Sequence, residues 1–390
     1  MNSEKTNLAF LLGSGISFPA KLPSVWKITE EVLSGEGWER HTDGTYDKGG
    51  PQIPWRAELT PPVIKFVNRL RQEVDKYYQD WIYRGTTYED IYYLAEQIRD
   101  SEAAEYENPA ILAFLEKLEL EVEPIPTRPG RAEPVRELAT EATKYIKDVV
   151  QHCLSKKPEP TDYLKTFKDA CLDTDFGTLD LFTLNHDTLL EDYLCKEGVD
   201  LTDGFEQRED FARFWNPKIL EKPTSRVRLT KLHGSVSWQW YYGQQGEERE
   251  LAIRTVDYET WRMLNLNSHA RAEFLAGTFN KMLTYTVHRV YLELYFYFWQ
   301  TLKYLDYLVV CGYGFGDKAI NARIAQWMAE TDDRRMVVID PKSETDIMQI
   351  ARGMITKNWN GWRKEGRLSF INKGIEKVTW NEVKDSLLVS

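Results

Sequence analysis

The chain has 390 residues, a net charge of −11 and four cysteines, with 13 Trp and 21 Tyr in an otherwise ordinary globular composition. That length accommodates two or three domains, or one large domain with a sizeable insertion, and the acidic balance excludes a nucleic-acid surface spread over the whole protein. Cys153, Cys171, Cys195 and Cys311 are far apart and form no C-x-x-C pair, which speaks against a zinc ribbon or a disulfide scaffold and suits a reducing cytoplasm.

Residues 2–7 are polar and the next apolar run is short, so no signal peptide is expected. Residues 8–12 read as a buried strand entering Gly13-Ser14-Gly15-Ile16-Ser17, with a helix-compatible stretch from Val25. This is how a strand hands over to a phosphate-binding helix. Gly13 and Gly15 carry no Cβ, which lets backbone N–H groups approach an anion; a tight strand–helix packing turn is the alternative reading. Residues 33–60 are polar and rich in Gly and Pro, an expected exposed excursion. Helical periods then cover 62–78, 109–120, 134–154 and 163–171. A capping box, Thr86-x-x-Glu89, opens another helix, with Ile91, Leu94, Ala95 and Ile98 on one face. Residues 121–131, with three prolines, read as a linker.

From 178 onward strands alternate with helices. The strand at 178–184 ends in Asn185-His186-Asp187, and that at 227–232 in His233-Gly234-Ser235. The strand at 307–311 ends in Gly312-Tyr313-Gly314-Phe315-Gly316-Asp317, with Asp317 an expected N-cap for a helix at 319–329. The strand at 336–339 ends in Asp340, and 367–371 reads as a last strand. Residues 238–267 are mixed and aromatic and receive no assignment. The apolar helix at 290–305 is too short to span a bilayer and carries Glu293, Gln300 and Lys303. The pattern predicts an α/β fold: a doubly wound, mostly parallel Rossmann-like sheet formed by 1–34 and 176–390, with a large helical insertion or subdomain at 35–175. Ligands of such sheets sit at the carboxyl ends of the strands near a topological switch point, where all these polar clusters fall.

Familiar nucleotide motifs do not fit. Phe18 stands where a dehydrogenase fingerprint needs Gly or Ala, and no acidic strand end follows about twenty residues on. There is no G-x-x-x-x-G-K-[ST], and the serine of Gly13-Ser14-Gly15 is wrongly spaced for a hydrolase elbow.

Taken together, the clusters resemble the sirtuin family. Gly13-Ser14-Gly15-Ile16-Ser17 is similar to its G-A-G-x-S turn, and Ala20-Lys21-Leu22-Pro23-Ser24 to the loop that follows. Thr183-Leu184-Asn185-His186-Asp187 matches T-x-N-x-D, and His233-Gly234 the catalytic H-G pair. The resemblance covers residues 1–33 and about 178–345. It departs from the deacylases in lacking cysteines at 235–267, so no zinc is expected, and in its large helical block. Those departures, with the 312–317 turn, look like the bacterial sirtuin-like NAD-cleaving effectors of antiphage defence.

The resemblance implies an NAD+ glycohydrolase that depletes NAD+, its substrate, in an abortive-infection response. It also implies a cytoplasmic homo-oligomer, paired in some members with a HerA-type hexameric ATPase; no membrane or direct nucleic-acid surface is expected. Asn185 and His233 are the catalytic candidates. An amide has the donor and acceptor to hold ribose hydroxyls or a water, and an imidazole with its ordinary pKa of about 6.5 is a base at neutral pH. Gly13, Ser14, Gly15 and Ser17 face the phosphates, Asp187 the nicotinamide end or Asn185, Gly312, Tyr313 and Gly314 the ribose or phosphates, and Asp340 the adenosine ribose. No metal site is read from His41, His152, His269 or His288, and His186 reads as structural. A protein deacylase or ADP-ribosyltransferase is the nearest alternative, and a non-catalytic NAD+ or ADP-ribose sensor the alternative of another class.

Overall fold

The computed structural model describes residues 6–49, 57–78, 85–100, 110–119, 134–242, 249–256, 271–276 and 289–388. The chain forms two compact units. The first comprises Met1–Leu22, Lys157–Ser268 and Thr284–Ser390; the second comprises Pro23–Lys156 and His269–Leu283.

The first unit is built on six parallel strands: β1 (Leu8–Leu12), β2 (Leu179–Thr183), β3 (Val227–Lys231), β4 (Tyr307–Cys311), β5 (Arg335–Ile339) and β6 (Leu368–Ile371). Their order is β6-β5-β4-β1-β2-β3, that of a doubly wound Rossmann-like sheet whose switch point lies between β1 and β4. A central parallel strand is covered on both faces, so its sequence is a continuous apolar run, as in the fully buried Leu8–Leu12. The register aligns Leu12 with both Thr183 and Cys311, Thr183 with Lys231, and Cys311 with Ile339. The carboxyl ends are therefore flush, and the residues after them share one edge. Phe10, Phe167, Leu181, Val337 and Trp380 belong to the core on one side of this sheet, with Phe10 set edge-on to Phe167 at 5.6 Å.

The unassigned aromatic stretch contributes to a four-stranded antiparallel sheet of this unit. Its order is Phe205–Glu209, Ala212–Trp215, Arg249–Arg254 and Trp238–Tyr242. Three helices after β5 also go beyond the sequence reading: Glu344–Ile350, Met354–Lys364 and Trp380–Leu388. Among the described residues no helix is long and apolar enough to cross a membrane.

The second unit gathers the helices Val25–Ser34, Thr60–Tyr78, Tyr88–Asp100, Ile111–Glu119 and Pro134–Leu154. The expected excursion at 33–60 is in part a buried hairpin, Trp38–Arg40 against Tyr46–Lys48. Trp38 and Tyr46 pack edge-on against Tyr145, at 6.0 and 5.3 Å. Arg40 meets Glu141 at 2.7 Å, both nearly inaccessible, and the Tyr46 hydroxyl donates to the same carboxylate at 2.8 Å. Burial opposes ionisation of Glu141, but the Arg40 hydrogen bond and the Lys144 charge outweigh it and lower its pKa to about 2. The cap opening Tyr88–Asp100 falls one residue later than the expected Thr86-x-x-Glu89, and only its carboxylate half forms: the Thr87 amide and hydroxyl both donate to Asp90, at 2.9 Å.

These packing units divide the chain at 22/23 and 156/157, whereas the sequence pattern places the boundaries at 34/35 and 175/176. The helix Val25–Ser34 joins the helical unit because Tyr145 donates to the Val32 carbonyl and the Tyr88 amide to the Thr29 hydroxyl. Conversely, Leu164, Phe167, Ala170 and Cys171 are buried in the core of the sheet unit. The linker expected at 121–131, together with His269 and His288, lies outside the described residues.

Candidate active site

The turn after β1 is shaped by its neighbour across the switch point. The Gly13 amide donates to the Cys311 carbonyl at 3.0 Å and the Gly15 amide to the Gly312 carbonyl at 2.9 Å. A Cβ on Gly13 would lie 2.6 Å from the Gly312 oxygen, and one on Gly15 2.6 Å from the Gly312 Cα. Gly312 itself has φ +62, a left-handed conformation that favours glycine. The three glycines thus let two strand-end turns pack backbone to backbone. The sequence reading offers the Gly13 and Gly15 amides to an anion; here both donate to carbonyls of the neighbouring turn. A single 3₁₀ turn, Ser14–Ile16, comes next, and the first α-helix begins at Val25. Ser14 is exposed at this edge and Ser17 is buried.

A polar net joins this turn to the end of β2. The Asn185 side-chain amide donates to the Gly13 carbonyl and to Ser17 Oγ, each at 3.1 Å. Ser17 Oγ donates to Asp187 Oδ2 at 2.9 Å, and Asp187 Oδ1 accepts the Leu189 amide at 3.1 Å. Beneath the net, the buried ammonium of Lys231 at the end of β3 donates to the Asp187 carbonyl and pairs with Glu191 at 2.8 Å. Burial pushes the Glu191 carboxyl up, against the lowering pull of Lys231. Asn185, Asp187, Ser17 and Gly13 are therefore one hydrogen-bonded unit, with Lys231 as a prop that the sequence does not single out.

His233, two residues past β3, is 3 % exposed. Its Nε2 lies 3.1 Å from Asp317 Oδ2, and its ring centre stands 6.3 Å from that of His186. Asp317 also caps the helix Lys318–Glu330, where its Oδ1 accepts the amides of Ala319 and Ile320. The pattern reveals the cap; the link to His233 spans 84 positions and leaves no local signal.

The remaining predicted residues sit apart from this net. Tyr313 lies against the Gly13 turn through its backbone, but its ring is buried and its hydroxyl donates to Asn321 Oδ1 at 2.9 Å. Burial raises its phenol well above the usual value. Gly314 faces Ile350. Asp340, at the end of β5, accepts the Lys342 amide at 2.8 Å, a turn contact; burial raises its carboxyl. His41 is buried in the helical unit. Among the described residues no group of three His, Cys, Asp or Glu side chains is arranged to hold a metal.

This edge fits a dinucleotide in one respect and resists it in another. Asn185 and His233 follow the flush carboxyl ends of two adjacent strands, the edge of a doubly wound sheet where such ligands bind. Yet two of the three amides offered to the phosphates are committed, which leaves exposed Ser14 as the polar group of the turn facing outward. A cavity of about 580 Å³ lies elsewhere, around the amino-terminal ends of β1, β2 and β4, lined by Asn7, Thr178, Trp215, Phe296 and Tyr297 among others.

Comparison with known proteins adds one similarity. No curated protein matches the chain. Residues 180–362 match the family described as SIR2-like domain, a span that holds Asn185, Asp187, His233 and the 312–317 turn but not the Gly13 turn. The match makes this part of the chain similar to a SIR2-like domain.

Proposed function

We propose that this chain is an NAD+ glycohydrolase, cleaving NAD+ with water into nicotinamide, ADP-ribose and a proton. The observation that carries the reading is that Asn185 and His233 each stand two residues past the aligned ends of adjacent parallel strands, Thr183 and Lys231, within the span similar to a SIR2-like domain. The nicotinamide leaves as a neutral pyridine, so the reaction needs no strong general acid. What it needs is a fixed ribose and control of the nucleophile. Asn185 is held through its amide group by Gly13 and Ser17, which leaves its carbonyl oxygen as the acceptor for a ribose hydroxyl or the attacking water. His233 takes the proton as the C1′–N bond breaks and the C1′–O bond forms. Asp187 braces Ser17 and through it Asn185.

The absence of cysteine from 235–267 disfavours the deacylase alternative, which needs a zinc ribbon there. Retention of both a base and a water-positioning amide disfavours a pure sensor. By resemblance, the same reading makes the protein a cytoplasmic, NAD-depleting effector of antiphage defence, homo-oligomeric and able to pair with a HerA-type ATPase.

The test is to incubate the purified protein with NAD+ and follow nicotinamide and ADP-ribose by chromatography, alone and with the ATPase. Release without an acyl-lysine acceptor, lost in His233→Ala and in Asn185→Ala, supports the reading. NAD+ that binds and stays intact under both conditions refutes it.

A further inference from the structure

We propose that the cavity at the amino-terminal ends of β1, β2 and β4 is a binding site for a small organic ammonium ion, held between aromatic rings and the Glu221 carboxylate. The cavity lies wholly within the sheet unit. It sits at the strand ends opposite Asn185 and His233, and nothing in it depends on the glycohydrolase reading. Its volume of about 580 Å³ falls within the range of small-molecule sites.

The charges of its wall select a cation. Asp180 and Arg228, at facing positions of β2 and β3, pair with each other, and the Tyr297 hydroxyl donates to the other Asp180 oxygen at 3.0 Å. Glu293 is likewise engaged, by Trp215 Nε1 and by Arg289 Nε, each at 2.8 Å. Glu221 is the exception. It is exposed, it lines the cavity, and among the described residues no side chain pairs with its carboxylate. An ammonium ion entering here meets a charge that nothing else in the wall balances. An anion would instead have to share Arg228 with the buried carboxylate of Asp180, against like-charge repulsion.

The backbone adds to the same sign. Gln300 and Thr301, in the last turn of the 15-residue helix Arg289–Lys303, line the cavity, as does Tyr304 just after it. That end carries the negative pole of the helix dipole, which favours cations. Lys303, in the same turn, is held over the Trp299 ring at 3.8 Å and does not line the cavity. The rings complete the site. Trp215, Phe296 and Tyr304 all line it, with Phe296 51 % and Tyr304 74 % exposed, and the face of an aromatic ring attracts a cation. One such contact already exists in the wall, where the Arg228 guanidinium stands 5.8 Å from the centre of the Tyr297 ring.

The test titrates the full chain with choline and with the larger benzyltrimethylammonium, followed by the ligands' NMR signals at physiological salt, which screens diffuse charge. Saturable binding is expected, with a Kd no weaker than about 1 mM for at least one of them. The carbon isostere of choline, neutral because carbon replaces the nitrogen, is expected to bind at least about 10-fold more weakly. The anion tert-butylacetate, of similar shape, is expected to be weaker still. Glu221→Gln, a change at an exposed position, is expected to weaken ammonium binding about 5-fold. Phe296→Ala is expected to weaken it about 3-fold. Glu209→Gln removes the same charge from an exposed position of the antiparallel sheet and is expected to change it less than about 2-fold. Absence of saturable binding by both ammonium ions overturns the proposal, as does equal or tighter binding of the neutral isostere or of tert-butylacetate. So does a Glu221→Gln protein that binds like wild type, or one weakened no more than Glu209→Gln.

Discussion

Gly15→Ala separates the two roles a glycine turn can play. If Gly15 exists to let an anion approach, alanine leaves the free protein intact and weakens NAD+ binding. The geometry argues for the other role. The added Cβ would stand 2.6 Å from the Gly312 Cα and 2.9 Å from its oxygen, against an ordinary carbon–carbon contact of about 3.5–4.0 Å. Both partners are backbone, so no side chain can swing aside, and the turns must part by about 1 Å to reach that contact. Parting them breaks the 2.9 Å bond from the Gly15 amide to the Gly312 carbonyl. Overpacking costs about 1–3 kcal/mol and the lost hydrogen bond about 1 kcal/mol more. For a unit of this size that lowers the melting temperature by roughly 5–12 °C. Thermal unfolding measured without NAD+ checks it, with Ser14→Ala as the control. Ser14 is exposed and its substitution is expected to move the melting temperature by no more than about 2 °C. A Gly15→Ala protein that melts like wild type yet binds NAD+ poorly would refute the packing argument.

Three further substitutions probe the buried charges. Glu141 titrates near 2 in the folded unit, against its ordinary 4.5, because Arg40 and Lys144 overcome its burial. A depressed carboxyl stabilises above the unfolded value, so about 3 kcal/mol present at neutral pH is lost as pH falls from about 4.5 to about 2. Asp148, raised by burial to about 6 against the pull of Arg271, acts with the opposite sign, losing stability as pH rises from 3.8 to about 6. The measurement is therefore the difference in urea midpoint between wild type and Glu141→Gln, which is expected to shrink below pH 4.5; a constant difference contradicts it. Lys231→Met leaves Glu191 without its 2.8 Å partner and is expected to cost about 3–5 kcal/mol. Adding Glu191→Leu should recover most of that loss, and a double variant no more stable than Lys231→Met refutes the pairing.

The sheet was legible because each central strand is an apolar run closed by a glycine or polar residue, and β1 and β4 fall within the ranges read from the chain alone. The helices after β5 carried signals too: Ser343 and Asp346 form a capping box, and Ile355, Trp359 and Trp362 recur at helical spacing. The antiparallel sheet was harder, since Phe205–Glu209 exposes three of its five residues and shows no alternation. At the candidate site, the residue types closing β2 and β3 were readable because strand order alone brings them to one edge. What they touch was not. Lys231 reads as the last residue of a strand, and its buried ammonium acquires a role only when the turn after β2 folds over it. At the Gly13 turn, likewise, committed amides and free ones have the same sequence.

The polar net also explains why this edge can be dry and ordered at once. Ser17, Asn185, Asp187 and His233 are each less than 9 % exposed, and burying such groups is costly unless their hydrogen bonds are met. Here they meet one another's needs, and the partners come from different strand ends: Asn185 on Gly13, Ser17 on Asp187, Lys231 beneath Asp187, Asp317 against His233. Satisfying the burial cost therefore ties β1, β2, β3 and the turn after β4 together. A network closed in this way is stronger than its separate bonds, and it holds its donors and acceptors oriented before any substrate arrives. Preorganisation of that kind is what lowers a barrier that depends on positioning rather than on strong acid. On the proposed reading, the groups assigned to the ribose and phosphates are also those that close the sheet edge, which couples activity and stability at Asn185 and Ser17.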